Sequence, residues 1–304
     1  MIPPQGTEPP ALSRAAALLL ASLEYRCQRY LDSFRQCQQE YSREAVHNLR
    51  VSTRRLLIIL EIMENLFLEK KGRKFRRELK KQLNSLDGLM DIQVQIAYVG
   101  SEMTGMEGGS DFLNYLVRRE TYLLEELRQV IDPISIDDHN RRISKIRLLA
   151  VTRLKVQKVR ECLVVAVDNS YSNLLQRFAK IDPGKTKSIH RTRIVFKSFR
   201  YTVEIIHPLL FGYPEVLLTT MDEYQGMMGI IQDIEVLQDL LEAFGEKHPH
   251  VNISLLMDYV GQRHQEYVTT FLSQMDSLHA FWRASPQARY PWNKPKARRI
   301  SAPS

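Results

Sequence analysis

The chain has 304 residues, 44% of them apolar and 26% charged, the proportions of a folded domain rather than a disordered one. A formal charge of +8 and a pI near 9.3 favour an anionic partner, but bulk charge does not choose among nucleic acid, an anionic membrane surface and an inorganic polyanion. Cys27, Cys37 and Cys162 form no CxxC pair and leave an odd count, which disfavours a disulfide framework and fits a reducing compartment.

Residues 1–11, with Pro3, Pro4, Pro9 and Pro10 and no basic leader pattern, are expected to form a disordered arm. A helix is predicted over 12–40; its apolar run at 15–21 is too short to span a membrane, and no uncharged apolar window of eighteen residues occurs, so the expected location is cytoplasmic. The next predicted helix, 43–68, has Leu49, Leu56, Leu60 and Met63 at helical spacing. On another face it carries His47, Arg50 and Arg54, with Arg55 to one side. A third helix, 73–101, holds Arg73, Lys74, Arg76, Arg77, Lys80 and Lys81 at steps of three and four, an outer basic rim with Glu78 as its expected neutralising acid.

A glycine-rich loop at 104–110 leads to a helix at 110–131. No proline stands between Ile134 and Asp182, so one long helix is predicted over 138–180. The Asp182-Pro183-Gly184 turn precedes a helix at 186–208 that carries His190, Arg193, Lys197 and Arg200. After a break at 211–214, helices are expected at 214–245 and 251–283, followed by a disordered tail at 284–304 with Lys294, Lys296, Arg298 and Arg299. No alternating β pattern occurs, so the fold class is all-α, with a domain at 12–283 divided into halves near 12–135 and 136–283.

The halves repeat. His47-x-x-Arg50-x-x-x-Arg54 returns as His190-x-x-Arg193-x-x-x-Lys197, and Asp91-Ile92-Gln93-Val94 returns as Asp233-Ile234-Glu235-Val236. Steps of three, four and seven put each basic set on one helix face. Like charges at that spacing destabilise an isolated helix by roughly 0.2–0.5 kcal/mol per pair, so each stripe calls for acidic neighbours or an anionic ligand. A duplicated helical unit commonly has a pseudo-two-fold axis, which would turn both stripes into one shared cavity. Charge is also polarised along the chain: residues 43–81 hold 12 Lys/Arg against 5 Asp/Glu, and residues 208–280 hold 2 against 11.

Arg presents a planar fork that bridges two oxygens and Lys a point charge, so Arg50, Arg54, Arg193, Lys197 and Arg200 suit a polymer of phosphate units. His47 and His190 can donate to phosphate oxygens in either protonation state, or serve as packing residues. Asp91 and Asp233, among apolar neighbours, read as acids that orient basic side chains. Neither histidine has the partners of a zinc site, and His248-Pro249-His250 is only a loop pair. There are no paired acids at catalytic spacing, no Gly-rich phosphate loop and no nucleophile elbow, so no catalysis, metal or cofactor is expected. A nucleic-acid-binding helical protein is the alternative; sparse aromatics among the stripes weigh against it.

The segments His47-Asn48-Leu49-Arg50-Val51-Ser52-Thr53-Arg54-Arg55-Leu56 and His190-Arg191-Thr192-Arg193, the latter continuing to Lys197, Arg200 and Tyr201, resemble the two copies of the signature of CHAD domains, the conserved-histidine α-helical family. The resemblance covers about 12–283 and implies two four-helix bundles related by a pseudo-two-fold axis, with a basic surface and channel that bind inorganic polyphosphate. The binding residues expected on this reading are His47, Arg50, Arg54, Arg55, Arg73, Arg77, Lys81, His190, Arg193, Lys197 and Arg200. Association with polyphosphate granules is a corollary. Leu57 and Met90 stand where many members carry arginine, which implies a weaker grip in the first half.

Overall fold

The computed structural model describes residues 12–67, 72–154, 158–210 and 212–293. The arm at 1–11 and the basic stretch bearing Lys294, Lys296, Arg298 and Arg299 lie outside the described residues. Everything regular among the described residues is helical: α1 Arg14–Glu40, α2 Arg43–Phe67, α3 Arg73–Glu102, α4 Gly109–Ile131, α5 Ile136–Leu154, α6 Val159–Phe178, α7 Lys187–Ile206, α8 Val216–Lys247 and α9 Ser254–Gln274. Short 3-10 turns follow α7 at His207–Leu209 and α9 at Met275–Ala280. No described helix is long and apolar enough to cross a membrane.

The first hairpin shows how local chemistry sets the path. Ser13 caps α1 by accepting from the Ala16 amide, and Ser42 opens α2 by accepting from the Ala45 amide at 3.1 Å. Between them Tyr41 holds the left-handed conformation, φ 48°, which disfavours a side chain with a Cβ. Its ring compensates: the hydroxyl donates to Asp132 Oδ1 at 2.5 Å and Arg128 lies over the ring at 5.2 Å, fastening the α1–α2 turn to the end of α4.

Two cores form, and each draws on both halves of the sequence. The larger takes α1, α2, α5, α6 and α7 with the N-terminal parts of α3 and α8, the C-terminal ends of α4 and α9, and Leu278, Phe281 and Trp282 beyond α9. The smaller joins the far ends of the α3–α4 and α8–α9 hairpins through residues such as Ile92, Phe112, Ile234, Phe244 and Leu256. At that tip Gly108, φ 76°, lies so close to the Asn252 carbonyl that an added Cβ would approach it to 2.7 Å. Helices that carry matching landmarks are neighbours: α2 touches α7, and α3 touches α8.

The helix predicted over 138–180 is two helices, α5 and α6, with Lys158 outside helical geometry at ψ 66°. No proline or glycine marks the break. It follows from packing, because α5 covers α1 whereas α6 pairs with α7. His139 secures α5: it is buried among Tyr30, Phe34 and Phe75, and its Nδ1 lies 2.8 Å from the Tyr30 hydroxyl, which donates to Gln82 at 2.9 Å.

The tail expected to leave the body at 284 stays on it to Asn293. Asp168 accepts from the Trp282 indole at 2.8 Å and from both Nε and Nη2 of Arg283, and Tyr290 stacks on Trp292 at 4.6 Å. Trp292 in turn meets Tyr213 edge-on at 4.7 Å. Rings of this size bury on the order of 150–250 Å² each, enough to hold a short segment that has no regular structure.

Candidate anion-binding site

The apolar faces of two helices decide where the basic stripes point. On α2, Leu49, Leu56, Ile59 and Leu60 are buried; on α7, Ile189, Phe196, Phe199 and Val203 are. With those faces in the core, Arg50 and Arg54 of α2 are turned toward His190, Arg193 and Lys197 of α7. Together they line one cavity of about 580 Å³, completed by Asp87 and Asp91 from α3 and Asp233 from α8. Its one aromatic side chain is Tyr201.

The two stripes differ in what answers their charge. Asp87 serves both cations of the first: its Oδ1 accepts from Arg50 Nε at 2.5 Å and from Arg54 Nη2 at 2.8 Å, and its Oδ2 also receives Arg54 Nη2 at 3.1 Å. The landmark offset between Asp91 and Asp233 places Gly229 at the position matching Asp87. Arg193 lies over that glycine, with Nη2 3.5 Å from where a Cβ would be. Neither Arg193 nor Lys197 has a carboxylate partner within salt-bridge distance, and the buried Arg193 Nε and His190 Nδ1 have no hydrogen-bond partner among the described residues. A buried donor left open, as Arg193 Nε is, costs about 1–3 kcal/mol unless something else accepts from it, and His190 Nδ1 donates or accepts according to its tautomer.

Burial and crowding shift the cavity's titrating groups. Burial first, then Arg54, Arg193 and Arg50, lowers Lys197 to about 7. Burial also lowers His190, with Arg193 adding to the effect. Asp91 is pushed up to about 6 by burial, with Asp87 and Asp233 reinforcing the shift against Arg50. Burial raises Asp233 despite the pull of Arg193 and Lys197. The influence of Arg50 and Arg54 on Lys197 is the electrostatic signature of one pooled site.

Several expected site residues lie elsewhere. His47 is exposed and does not line the cavity, so the histidines that head the two signatures occupy different surroundings. Arg55 is exposed on the opposite flank, lining a small recess with Tyr25, Arg26 and Arg29. Arg200 is turned away and buried, 7% exposed: it pairs with Asp222 and with Glu204 at 3.2 Å, and lies over the Tyr201 ring. Arg73 and Arg77 line an open groove of about 640 Å³ beside the cavity, and Lys81 is exposed outside it.

The rim's neutralising acid is Glu64, which accepts from Arg73 at 2.7 Å and from Arg76, whereas Glu78 pairs with Arg142 of α5. Lys80 lines both groove and cavity and so joins them. Asp91 and Asp233, expected to orient cations, have no ion pair among the described residues; Asp87 has that role. Its signal in the sequence is its place one turn before Asp91, on the same face. Among the described residues no three His, Cys, Asp or Glu side chains gather in a way that could hold a metal ion.

Two basic helices facing each other across a cavity, with only helices as regular structure among the described residues, define the class structurally. The chain belongs to the CHAD domain family, whose profile matches residues 15–242. The fold is similar to the crystal structure of the CHAD domain from the plant Ricinus communis, at 17% identity and a TM-score of 0.67, covering 94% of this chain and 98% of that one. It is also similar to PptA from Streptomyces chartreusis, at 14% identity and a TM-score of 0.57, covering 89% and 99%. No curated protein matches the chain significantly.

Proposed function

We propose that this protein binds inorganic polyphosphate, without transforming it, in the cavity between α2, α3, α7 and α8. The observation that carries the reading is the surplus of cations on α7: Arg193 and Lys197 face the cavity with no carboxylate in contact, opposite Arg50 and Arg54. A linear polyanion with oxygens on every unit supplies the missing acceptors at many points, and a single aromatic wall residue offers little to stack a base upon. Association with polyphosphate granules, and a cytoplasmic location, follow from the same reading.

Calorimetric titration with long-chain polyphosphate tests it. Saturable binding at least tenfold tighter than that of polyglutamate matched in charge is expected, weakening steeply with salt as counterions are released. Equal affinity for the two polyanions would refute the reading. Displacement of bound polyphosphate by RNA at equal phosphate concentration would transfer the site to nucleic acid.

A further inference from the structure

The repeated helices α3 and α8 begin with opposite charge. The landmark offset sets Arg73, Lys80 and Lys81 of α3 against Glu215, which precedes α8, and Asp222 and Glu223 within it, and all six are exposed. Of the six, Lys80 lines the cavity itself, so the α3 and α8 sides differ in what a ligand leaving the cavity would meet. On the α3 side Lys80 belongs to both cavity and groove, so a continuous basic path leads outward past Arg77 and Arg73. On the α8 side the wall residue Tyr201 carries Arg200 on its ring, and Arg200 is already held by Asp222 and Glu204. A third way out, past Glu61 and Ser198, opens into a recess of about 580 Å³ whose polar lining includes carboxylate, amide and hydroxyl groups, with Glu161 and Asn169 among them and no cation among the described residues.

A polyanion leaving by the second or third route would run along carboxylates, where like charge repels it. Along the α3 route Arg73, Arg76, Arg77 and Lys80 outnumber the groove's one described carboxylate, Glu64, so attraction continues there. The deep end of that route holds the cations with no acid in contact among the described residues, Arg193 and Lys197, beside the unpartnered His190 Nδ1 and Arg193 Nε. A terminal phosphate, with one more ionisable oxygen than an internal unit, matches that surplus.

Resting on the reading of polyphosphate as ligand, we propose that the protein holds the end of the chain: the terminal phosphate lodges against His190, Arg193 and Lys197, and the rest leaves along the α3 groove. An end-binding receptor counts chain ends, whereas a receptor threaded by the polymer, or lying along it, counts phosphate units.

The experiment compares linear polyphosphates of graded length, free or with both ends capped as phosphoramidates of an uncharged amine, which leaves each end unit only the single charge of an internal one, by sedimentation at saturating protein near physiological salt. Expected are no more than two proteins per chain at any length, and binding at least tenfold weaker once the ends are capped. Stoichiometry that grows in proportion to length, or capped chains bound as tightly as free ones, overturns end binding while leaving polyphosphate binding intact. No binding at any length instead removes the underlying reading. In the Glu215→Lys/Glu223→Lys variant, which reverses two exposed charges at the start of α8, the α8 side loses its acidic character and sensitivity to capping should fall several-fold. Sensitivity equal to the wild type would overturn the role of the acidic α8 side.

Discussion

Arg50 and Arg54 in one half, and Arg193 and Lys197 in the other, occupy matching places on matching helices, yet among the described residues only the first pair has a carboxylate in contact. Asp87 does this on one side; on the other, Gly229 leaves Arg193 resting over bare backbone. The same cation thus has two values. One already satisfied must give up a carboxylate to gain a phosphate, while one left open gains without losing. The matching landmarks supply the frame, and an acid in one half against a glycine in the other marks which has attraction to spare.

The largest effect should come from the open pair. Arg193→Glu/Lys197→Glu is expected to weaken polyphosphate binding by about 100-fold or more, since charge-assisted contacts contribute roughly 1.5–3 kcal/mol each and about 1.4 kcal/mol is tenfold. Arg73→Glu/Arg77→Glu, in the screened groove, should lose about tenfold or less. Calorimetry on variants with native helical circular dichroism checks this, and equal losses would erase the distinction between cavity and rim.

Gly229→Asp gives the second half the acid of the first. The new Cβ would sit 3.5 Å from Arg193 Nη2, ordinary contact, so the helix should persist while affinity falls by about tenfold. Asp87→Asn should act the other way, tightening binding a few-fold by freeing Arg50 and Arg54. If both changes leave affinity untouched, internal neutralisation is not what separates the halves.

Binding should also strengthen by about three- to tenfold as pH falls from 8 to 6, of the order set by one group gaining a proton. The sign follows from the groups present: Lys197, lowered to about 7, gains its charge across this range, and Asp91, raised to about 6, begins to lose its own. Lys197→Arg, charged throughout, should flatten the upper part of the profile. A wild-type titration flat between pH 8 and 7 would contradict the neutral lysine.

The smallest effects belong to residues turned out of the cavity. Arg200→Gln and His47→Gln should each change affinity by less than about twofold, because Arg200 serves Asp222 and Glu204, and His47 faces solvent. His190→Gln should lose more than either. Parity between His47→Gln and His190→Gln would restore the symmetry suggested by the signature.

Much of this was legible without coordinates. Prolines, glycines and apolar periodicity place α1 to α4, α7 and α8 within a few residues, whereas α9, expected to run to 283, ends at Gln274 and gives way to a 3-10 turn. The repeat brought Arg50, Arg54, Arg193 and Lys197 onto common faces, and apolar periodicity turned those faces toward each other. The break between α5 and α6 escaped because nothing in its local sequence interrupts a helix; it arises from which neighbours each piece covers. Arg200 continues the stripe in register but is drawn off the cavity by Asp222, 22 positions on, and by Glu204, even though its neighbour Tyr201 still lines it. Asp87 escaped because the repeat draws the eye to what recurs, and this acid matters through what replaces it.

The small core at the hairpin tips bears on time as well as shape. Ile92 and Ile234 belong to it, and each directly follows a cavity acid, Asp91 or Asp233. The width of the gap is thus set by apolar packing adjoining the ligand's floor, like the fixed jaw of a calliper. Widening it would require the Phe112–Phe244 contact, 5.3 Å between ring centres, and its neighbours to part. Such sub-global opening belongs to the slow, rare motions of a protein, far slower than a chain end sliding along an open groove. Capture should therefore proceed at the pace of electrostatically steered diffusion, with no gating step, and ionic strength rather than conformational change should govern how fast the site fills.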